Sequence, residues 1–134
     1  MQTFLPVPSF EKTAQILDWR RLGKQRVEGM QILNAIGNPD NGWRNHPAVK
    51  MWIGYEDALK AYVNAIISEW TGRGYNNNMS RYNVPEKYSL PPWFGSEAFH
   101  LSHRSNLVRK NPEHYRQYWP DVPSDLPYVW PKGK

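Results

Sequence analysis

Apolar residues recur at helical spacing in three stretches, and turn-forming residues separate them. The clearest stretch is 47–71, where Val49, Trp52, Tyr55, Leu59, Tyr62, Val63, Ile66 and Trp70 return every three or four residues. Pro47 suits a first helical turn, and Gly72 and Gly74 stop the pattern. The spacing therefore predicts one long helix crossing most of a small domain. In the second stretch Asp18 can cap a helix that places Trp19, Leu22, Met30 and Leu33 on one side. Gly37 ends it, followed by the loop Asn38-Pro39-Asp40-Asn41-Gly42. In the third, Ser96 can cap a helix through Lys110, and Asn111-Pro112 can open another turn or two through Tyr118. A shorter helix capped by Ser9 runs to about Leu17.

Between and beyond these stretches the pattern breaks down. Pro6 and Pro8 bias residues 1–8 towards extended backbone, and residues 72–95, with Asn76-Asn77-Asn78, Pro85, Pro91 and Pro92, read as irregular. The tail from Trp119 carries Pro120, Pro123, Pro127 and Pro131 and is expected to wrap the surface in extended form. No repeat and no strand ladder is visible. The expectation is an all-α fold: a single compact domain over residues 1–134, with about three main helices, an extended N-terminal segment and a Pro-rich C-terminal tail.

Composition sharpens this picture in three ways. Seven Trp and eight Tyr are many for this length; aromatic rings fill cores and also serve as stacking platforms for bases. A net charge of +5 favours a polyanionic partner, nucleic acid before membrane. The absence of cysteine removes disulfides, thiolate metal sites and a Cys nucleophile, and fits a reducing interior. Neither a signal peptide nor a membrane-spanning run is visible, so a cytoplasmic monomer is expected.

On a helical wheel Arg21, Lys24, Gln25, Glu28 and Gln31 share one side of the second helix, opposite its apolar residues. One carboxylate then sits inside a basic, hydrogen-bonding stripe, where phosphate would repel it unless it has a task. The bland alternative is a pair between Glu28 and Lys24 one turn earlier. Arg26 falls on the apolar side and either snorkels outward or meets a buried partner. A second concentration is Gly42-Trp43-Arg44-Asn45-His46-Pro47, with Lys50 one turn on. It sets an aromatic, a guanidinium, an amide and an imidazole before a helix N-terminus that can receive a phosphate. Its bland alternative is a capping loop with Trp43 packed on the core. The third is the segment 111–119, where His114, Tyr115, Arg116 and Tyr118 alternate rings with charge, as stacking on bases and gripping phosphates requires; equally, those rings can seal the core. There is no Gly-rich phosphate loop, no Gly-x-Ser-x-Gly elbow and no His-Glu-x-x-His. The i,i+3 pair His100 and His103 lacks a nearby acidic ligand.

Taken in order, these segments resemble the pyrimidine-dimer DNA glycosylases, the phage endonuclease V type and its bacterial relatives. Arg26-Val27-Glu28-Gly29-Met30 resembles the family's Arg-Glu helix, with Glu28 at the catalytic glutamate. Gly42-Trp43-Arg44-Asn45-His46-Pro47 is similar to the Gly-Tyr-Arg-His-His-Pro motif of bacterial members. The end of the long helix, Arg73-Gly74-Tyr75-Asn76, resembles the phage enzyme's Arg-Gly-Phe-Asn, and residues 112–118 resemble its Pro-Thr-Trp-Tyr-Lys-Tyr-Tyr run.

The resemblance implies a compact all-α domain with its N-terminus threaded between helices, acting on double-stranded DNA that contains damaged or modified pyrimidines. It implies that a free α-amine attacks C1′ of the 5′ sugar of a cyclobutane pyrimidine dimer, that the base is expelled, and that the resulting Schiff base permits strand cleavage by β-elimination. Neither metal nor organic cofactor is implied. An α-amine is less basic than a lysine amine, which suits a nucleophile at neutral pH. Because Gln2 is bulky, the initiator Met is expected to be retained, making the amine of Met1 the nucleophile, with Glu28 stabilising positive charge on the sugar and moving protons. The competing readings are a non-catalytic DNA-binding module of the same fold, a glycosylase for another modified base, and an interaction domain whose aromatics are simply core.

Overall fold

The computed structural model describes residues 1–134 and contains six helices and no strand. They are α1 (Phe10–Ile16), α2 (Trp19–Gly37), α3 (Pro47–Lys50), α4 (Glu56–Gly72), α5 (Glu97–Lys110) and α6 (Pro112–Tyr115). Three of them, α2, α4 and α5, are long, so the fold is the all-α arrangement that the periodicity predicts. None is long and apolar enough to cross a membrane.

The helix starts follow the expected capping chemistry. Side chains of Ser9, Asp18, Ser96 and Asn111 accept the backbone N–H of Lys12, Arg21, Phe99 and His114, each three residues on. The predicted single helix over 47–71 is a correction: α3 ends at Lys50 and α4 begins at Glu56. Gly54 lies between them at φ 86°, a left-handed conformation that an α-helix cannot contain. The C-terminus secures the break, since the N–H groups of Gly133 and Lys134 donate to the carbonyls of Lys50 (3.0 Å) and Ile53 (2.8 Å).

Helix α4 packs against α1 and α2, burying Leu59, Tyr62, Val63 and Ile66. The buried seam of α2 is Leu22, Gln25, Gly29, Ile32 and Ala35, which corrects the wheel in two places. Trp19 is 52% exposed rather than inside, and Gln25 is buried. Polarity alone put Gln25 on the wet side; its amide is inside because every hydrogen bond it needs is supplied there.

What supplies them is the N-terminal segment. Residues 2–6 run extended through the middle of the molecule, with Thr3 and Leu5 fully buried. A buried backbone must have its N–H and C=O groups satisfied, and here no strand lies alongside, so side chains do it. Gln25 Oε1 accepts the Phe4 N–H (3.0 Å), and Tyr62 donates to the Phe4 carbonyl (2.8 Å). From α5, His103 Nδ1 accepts the Leu5 N–H (3.0 Å), His100 Nδ1 donates to the Leu5 carbonyl (2.7 Å), and Arg104 donates to the Pro6 carbonyl (2.8 Å). Trp52 donates its indole N–H to the Thr3 hydroxyl (3.0 Å). The His100–His103 pair is thus committed to Leu5 through one ring nitrogen each.

Two stability predictions arise here. Burial, with the adjacent His100, pushes the His103 imidazole down to about 3, and burial also lowers that of His100. Folded, His103 stays neutral until the pH approaches 3 and His100 takes up its proton less readily than when unfolded; unfolded, each is protonated below about pH 6.5, so acid favours the unfolded chain. Stability is complete above that pH and is lost as pH falls towards 3. The unfolding free energy from urea titration should drop between about pH 6.5 and 5, with a slope that approaches about 1.4 kcal/mol per pH unit from His103 alone; a value flat over that interval contradicts the arrangement. Second, a Cβ at Gly29 would lie 2.4 Å from Val63 Cγ2. Overpacking costs about 1–3 kcal/mol and better helix propensity returns about 1. Gly29→Ala should therefore lower the melting temperature, whereas Gly37→Ala, with open space around it, should not. A rise for Gly29→Ala would disprove the close α2–α4 contact.

Candidate active site

Gln25 builds the site. Its Oε1 accepts from Phe4 N–H and shares the single Tyr62 hydroxyl proton with the Phe4 carbonyl (2.6 and 2.8 Å), while its Nε2 donates to the Gln2 carbonyl and to Glu28 Oε2, both at 2.9 Å. The amide is therefore fully used. One nitrogen ties the backbone beside the first residue to the Glu28 carboxylate, and Met1 and Glu28 line a common cleft of about 1490 Å³. Burial, followed by the negative charge of Glu28, raises the Tyr62 phenol well above its ordinary value, so it remains an O–H donor to Gln25.

Glu28 has no ion-pair partner; the pair with Lys24 does not form, and Lys24 stays exposed on the cleft wall. The wall of this cleft is basic. Arg20, Arg21, Lys24 and Arg26 come from α2, and Lys110 closes the far end of α5. Arg21 is shared with Asp18 (3.2 Å). Burial would raise the Asp18 carboxyl, but hydrogen bonds from Tyr115 and Arg21 outweigh it and hold it below its usual value. Arg26 meets a partner, as the wheel allowed: its guanidinium lies 4.6 Å over the Trp70 ring and donates to Asn77 (2.8 Å).

His46 also reaches the cleft. Burial lowers its imidazole, and the positive charge on the Met1 amine lowers it further, so the two groups are close enough to feel each other. Its Nδ1 accepts the Ala48 N–H (3.0 Å), which leaves Nε2 to carry the proton of the neutral ring. Beside Met1, Gln2 is 8% exposed; its Oε1 accepts the Thr3 N–H, while its Nε2 has no hydrogen-bond partner. The Tyr128 hydroxyl lies near enough to feel that amide without meeting hydrogen-bond geometry.

The cleft thus gathers Met1, Arg21, Lys24, Gln25, Arg26, Glu28, His46 and His114. Four residues expected to touch DNA make internal hydrogen bonds. Gln25 and Tyr115 are buried, Tyr115 exchanging hydrogen bonds with Asp18. Arg44 donates to the carbonyls of Ala35 and Ile36 and caps the C-terminal end of α2. Arg116 donates to the carbonyls of Trp119, Pro120 and Val122 and folds the tail. Exposed carbonyls at chain turns compete for guanidinium groups, a use that residue type cannot reveal. Gln31, Trp43, Asn45, Lys50 and Tyr118 are exposed but do not line the cleft. Trp43 meets His46 edge-on at 5.7 Å rather than packing on the core.

Sequence reasoning missed the cleft's aromatic rims. Trp19, Trp70 and Tyr75 form one, and Tyr128 and Trp130 bring the other from the Pro-rich tail, Trp130 lying 6.2 Å from His46. Arg73-Gly74-Tyr75 was visible as a motif but had no assigned task; nothing local marks Tyr128 or Trp130. A second depression of about 490 Å³, between α1, α4 and residues 84–88, is lined by Glu11 and Glu69 and by no basic residue.

A family model of pyrimidine dimer DNA glycosylases matches residues 1–83, which contain Met1, the whole of α2 with Gln25 and Glu28, His46 and the Trp70–Tyr75 rim. No curated protein and no solved structure matches the chain. On that match, which covers the N-terminal segment and the helix that positions the carboxylate, the chain belongs to the pyrimidine dimer DNA glycosylase family.

Proposed function

We propose that this chain excises a damaged pyrimidine, first of all from a cyclobutane dimer in double-stranded DNA, by an imine mechanism that also nicks the strand. The observation that carries the reading is the Gln25 bridge, which joins the backbone beside Met1 to an unpaired carboxylate in a basic cleft. In the first step the lone pair of the neutral Met1 amine attacks C1′. The C1′–N bond breaks, and the base leaves with the electron pair and takes a proton. Opening of the sugar ring gives the protonated imine. In the second step a base removes a proton from C2′, and the C3′–O bond breaks with loss of the phosphate, which cuts the strand.

Glu28 is suited to both steps. Its negative charge stabilises cationic character at C1′, and its second oxygen, free of the Gln25 bond, can carry a proton. A neutral His46 beside the amine does not add a second positive charge there. Lys24, with Arg20 and Lys110, would meet the phosphates on either side of the reacting sugar, and Arg26, engaged with Trp70 and Asn77, would add its charge. Because a dimer stacks and pairs poorly, exposing its sugar to the cleft costs less than for an intact step.

Borohydride should trap a covalent adduct between the protein, with a native N-terminus, and a duplex bearing a pyrimidine dimer or an abasic site. Mass spectrometry should place the adduct on Met1; no adduct, or one mapped to a lysine, removes the mechanism. Glu28→Gln should keep salt-sensitive DNA binding while nicking falls by about 10²–10⁴-fold; equal nicking by both proteins would leave a binding module without this chemistry. Lys24→Ala should reduce the slope of log affinity against log salt by about one unit, as measured by fluorescence anisotropy.

A further inference from the structure

We propose that the Tyr128 hydroxyl, oriented by the side-chain amide of Gln2, is a catalytic hydrogen-bond donor that stabilises the pyrimidine as it leaves the sugar. This deepens the proposed function and rests on its assignment of base excision to the cleft. It supplies a group for the leaving base, where Glu28 and the Met1 amine serve the sugar.

The inference starts from an orphaned donor. Gln2 is 8% exposed beside Met1; its Oε1 is occupied by the Thr3 N–H (2.9 Å), while its Nε2 is enclosed and has no hydrogen-bond partner. An unmet buried donor costs about 1–3 kcal/mol, so its retention calls for a use. The Tyr128 hydroxyl lies close to this amide and itself meets no acceptor within the protein. The phenol ring is held from both sides. Ser105 Oγ accepts the Leu126 N–H (3.0 Å), Ser102 Oγ accepts the Val129 N–H (3.2 Å), and His103 meets the ring edge-on at 5.5 Å. Gln2, Tyr128, Met1 and Glu28 all line the one cleft.

A phenol oxygen accepts as well as donates. An amide N–H facing that oxygen turns the hydroxyl hydrogen away from itself, towards the cleft. Burial raises the Tyr128 phenol, and Gln2, Arg109 and Arg21 offset this only in part, so the proton stays on the oxygen and the group acts as a donor rather than an acid. Such a donor answers a need of the reaction. When the Met1 amine attacks C1′, the electron pair of the C1′–N1 bond passes to N1 and spreads to O2, the carbonyl oxygen on the neighbouring ring carbon. The nitrogen of Met1 gains positive charge, the base gains an equal negative charge, and the proton that the amine then sheds ends on the base. Glu28 is suited to the cation but repels the anion. Arg21 is engaged with Asp18 and Arg26 with Asn77. O2 is the base oxygen nearest the breaking bond, and Gln2 adjoins the attacking residue in the chain. A fixed neutral donor aimed where negative charge develops lowers the barrier to its departure. At an abasic site no base leaves, and the hydroxyl has nothing to stabilise.

The test compares a duplex bearing one cyclobutane thymine dimer with a duplex bearing one abasic site, using the intact protein. Excision is read as the single-turnover rate at which alkali-labile sites form, and imine formation as the rate of borohydride trapping on the abasic duplex. Tyr128→Phe, which removes only the hydroxyl, should slow excision by about 10²-fold and leave trapping within about twofold of the parent. Gln2→Glu keeps an oxygen for the Thr3 N–H, but its second oxygen accepts the phenol hydrogen and draws it out of the cleft. Excision should fall here too, and adding Tyr128→Phe to Gln2→Glu should cost little more, because both remove one interaction. Should Gln2→Glu fail to fold, Tyr128→Phe decides alone. The proposal is overturned if Tyr128→Phe excises at the parent rate, if trapping falls as far as excision, if the two substitutions multiply, or if the parent excises no base. Excision by the parent without any borohydride adduct, and lost in Tyr128→Phe, would defeat the imine reading and leave the donor standing.

Discussion

The structure depends on how a buried, extended segment is satisfied without a neighbouring strand. Residues 2–6 bring backbone donors and acceptors into an apolar interior, where an unmet group costs about 1–3 kcal/mol. A sheet would meet them by regular pairing. Here Gln25, Tyr62, His100, His103 and Arg104 meet them one at a time from three helices. Each of those side chains is buried or half-buried, and His103 must stay neutral to accept the Leu5 N–H. The helices are thus held in register around a segment that makes no secondary structure of its own.

The same constraint shapes the candidate site. An N-terminus left free at the surface would sample many positions, whereas this one is threaded through the core up to its first residue. Gln25 couples the threading to the candidate site, because the nitrogen that satisfies Gln2 also holds Glu28. A carboxylate among arginines and lysines would ordinarily pair with one of them. The bond to a neutral amide holds Glu28 in place while leaving its charge uncompensated by a direct ion pair.

The remaining walls come from far along the chain. Tyr128 and Trp130 reach the cleft because the tail is fastened along its length: Asn106 and Ser102 of α5 bond to Leu126 and Val129, and the last two residues dock on the α3–α4 break. Arg116 fixes the start of that path through three carbonyls. The tail therefore contributes both to the closure of the helix break and to the rim facing His46.

The chain's local chemistry determined much of this by itself. Caps at Ser9, Asp18, Ser96 and Asn111 mark helix starts because their side chains reach the third N–H on, whatever the surroundings. The spacing of α2 put Glu28 among cations, and prolines set the extended ends. The tertiary structure alone decided which polar groups are inside, since burial of Gln25 or Tyr115 depends on partners up to 97 residues away. It also decided which arginines remain available, because Arg44 and Arg116 are claimed by carbonyls that lose their partners only when the chain turns there. The break at Gly54 belongs to the same class: periodicity cannot register a left-handed residue, and the segment that caps the break lies at the opposite end of the chain. Local preferences are read residue by residue, whereas hydrogen bonds across the interior exist only once distant segments have met.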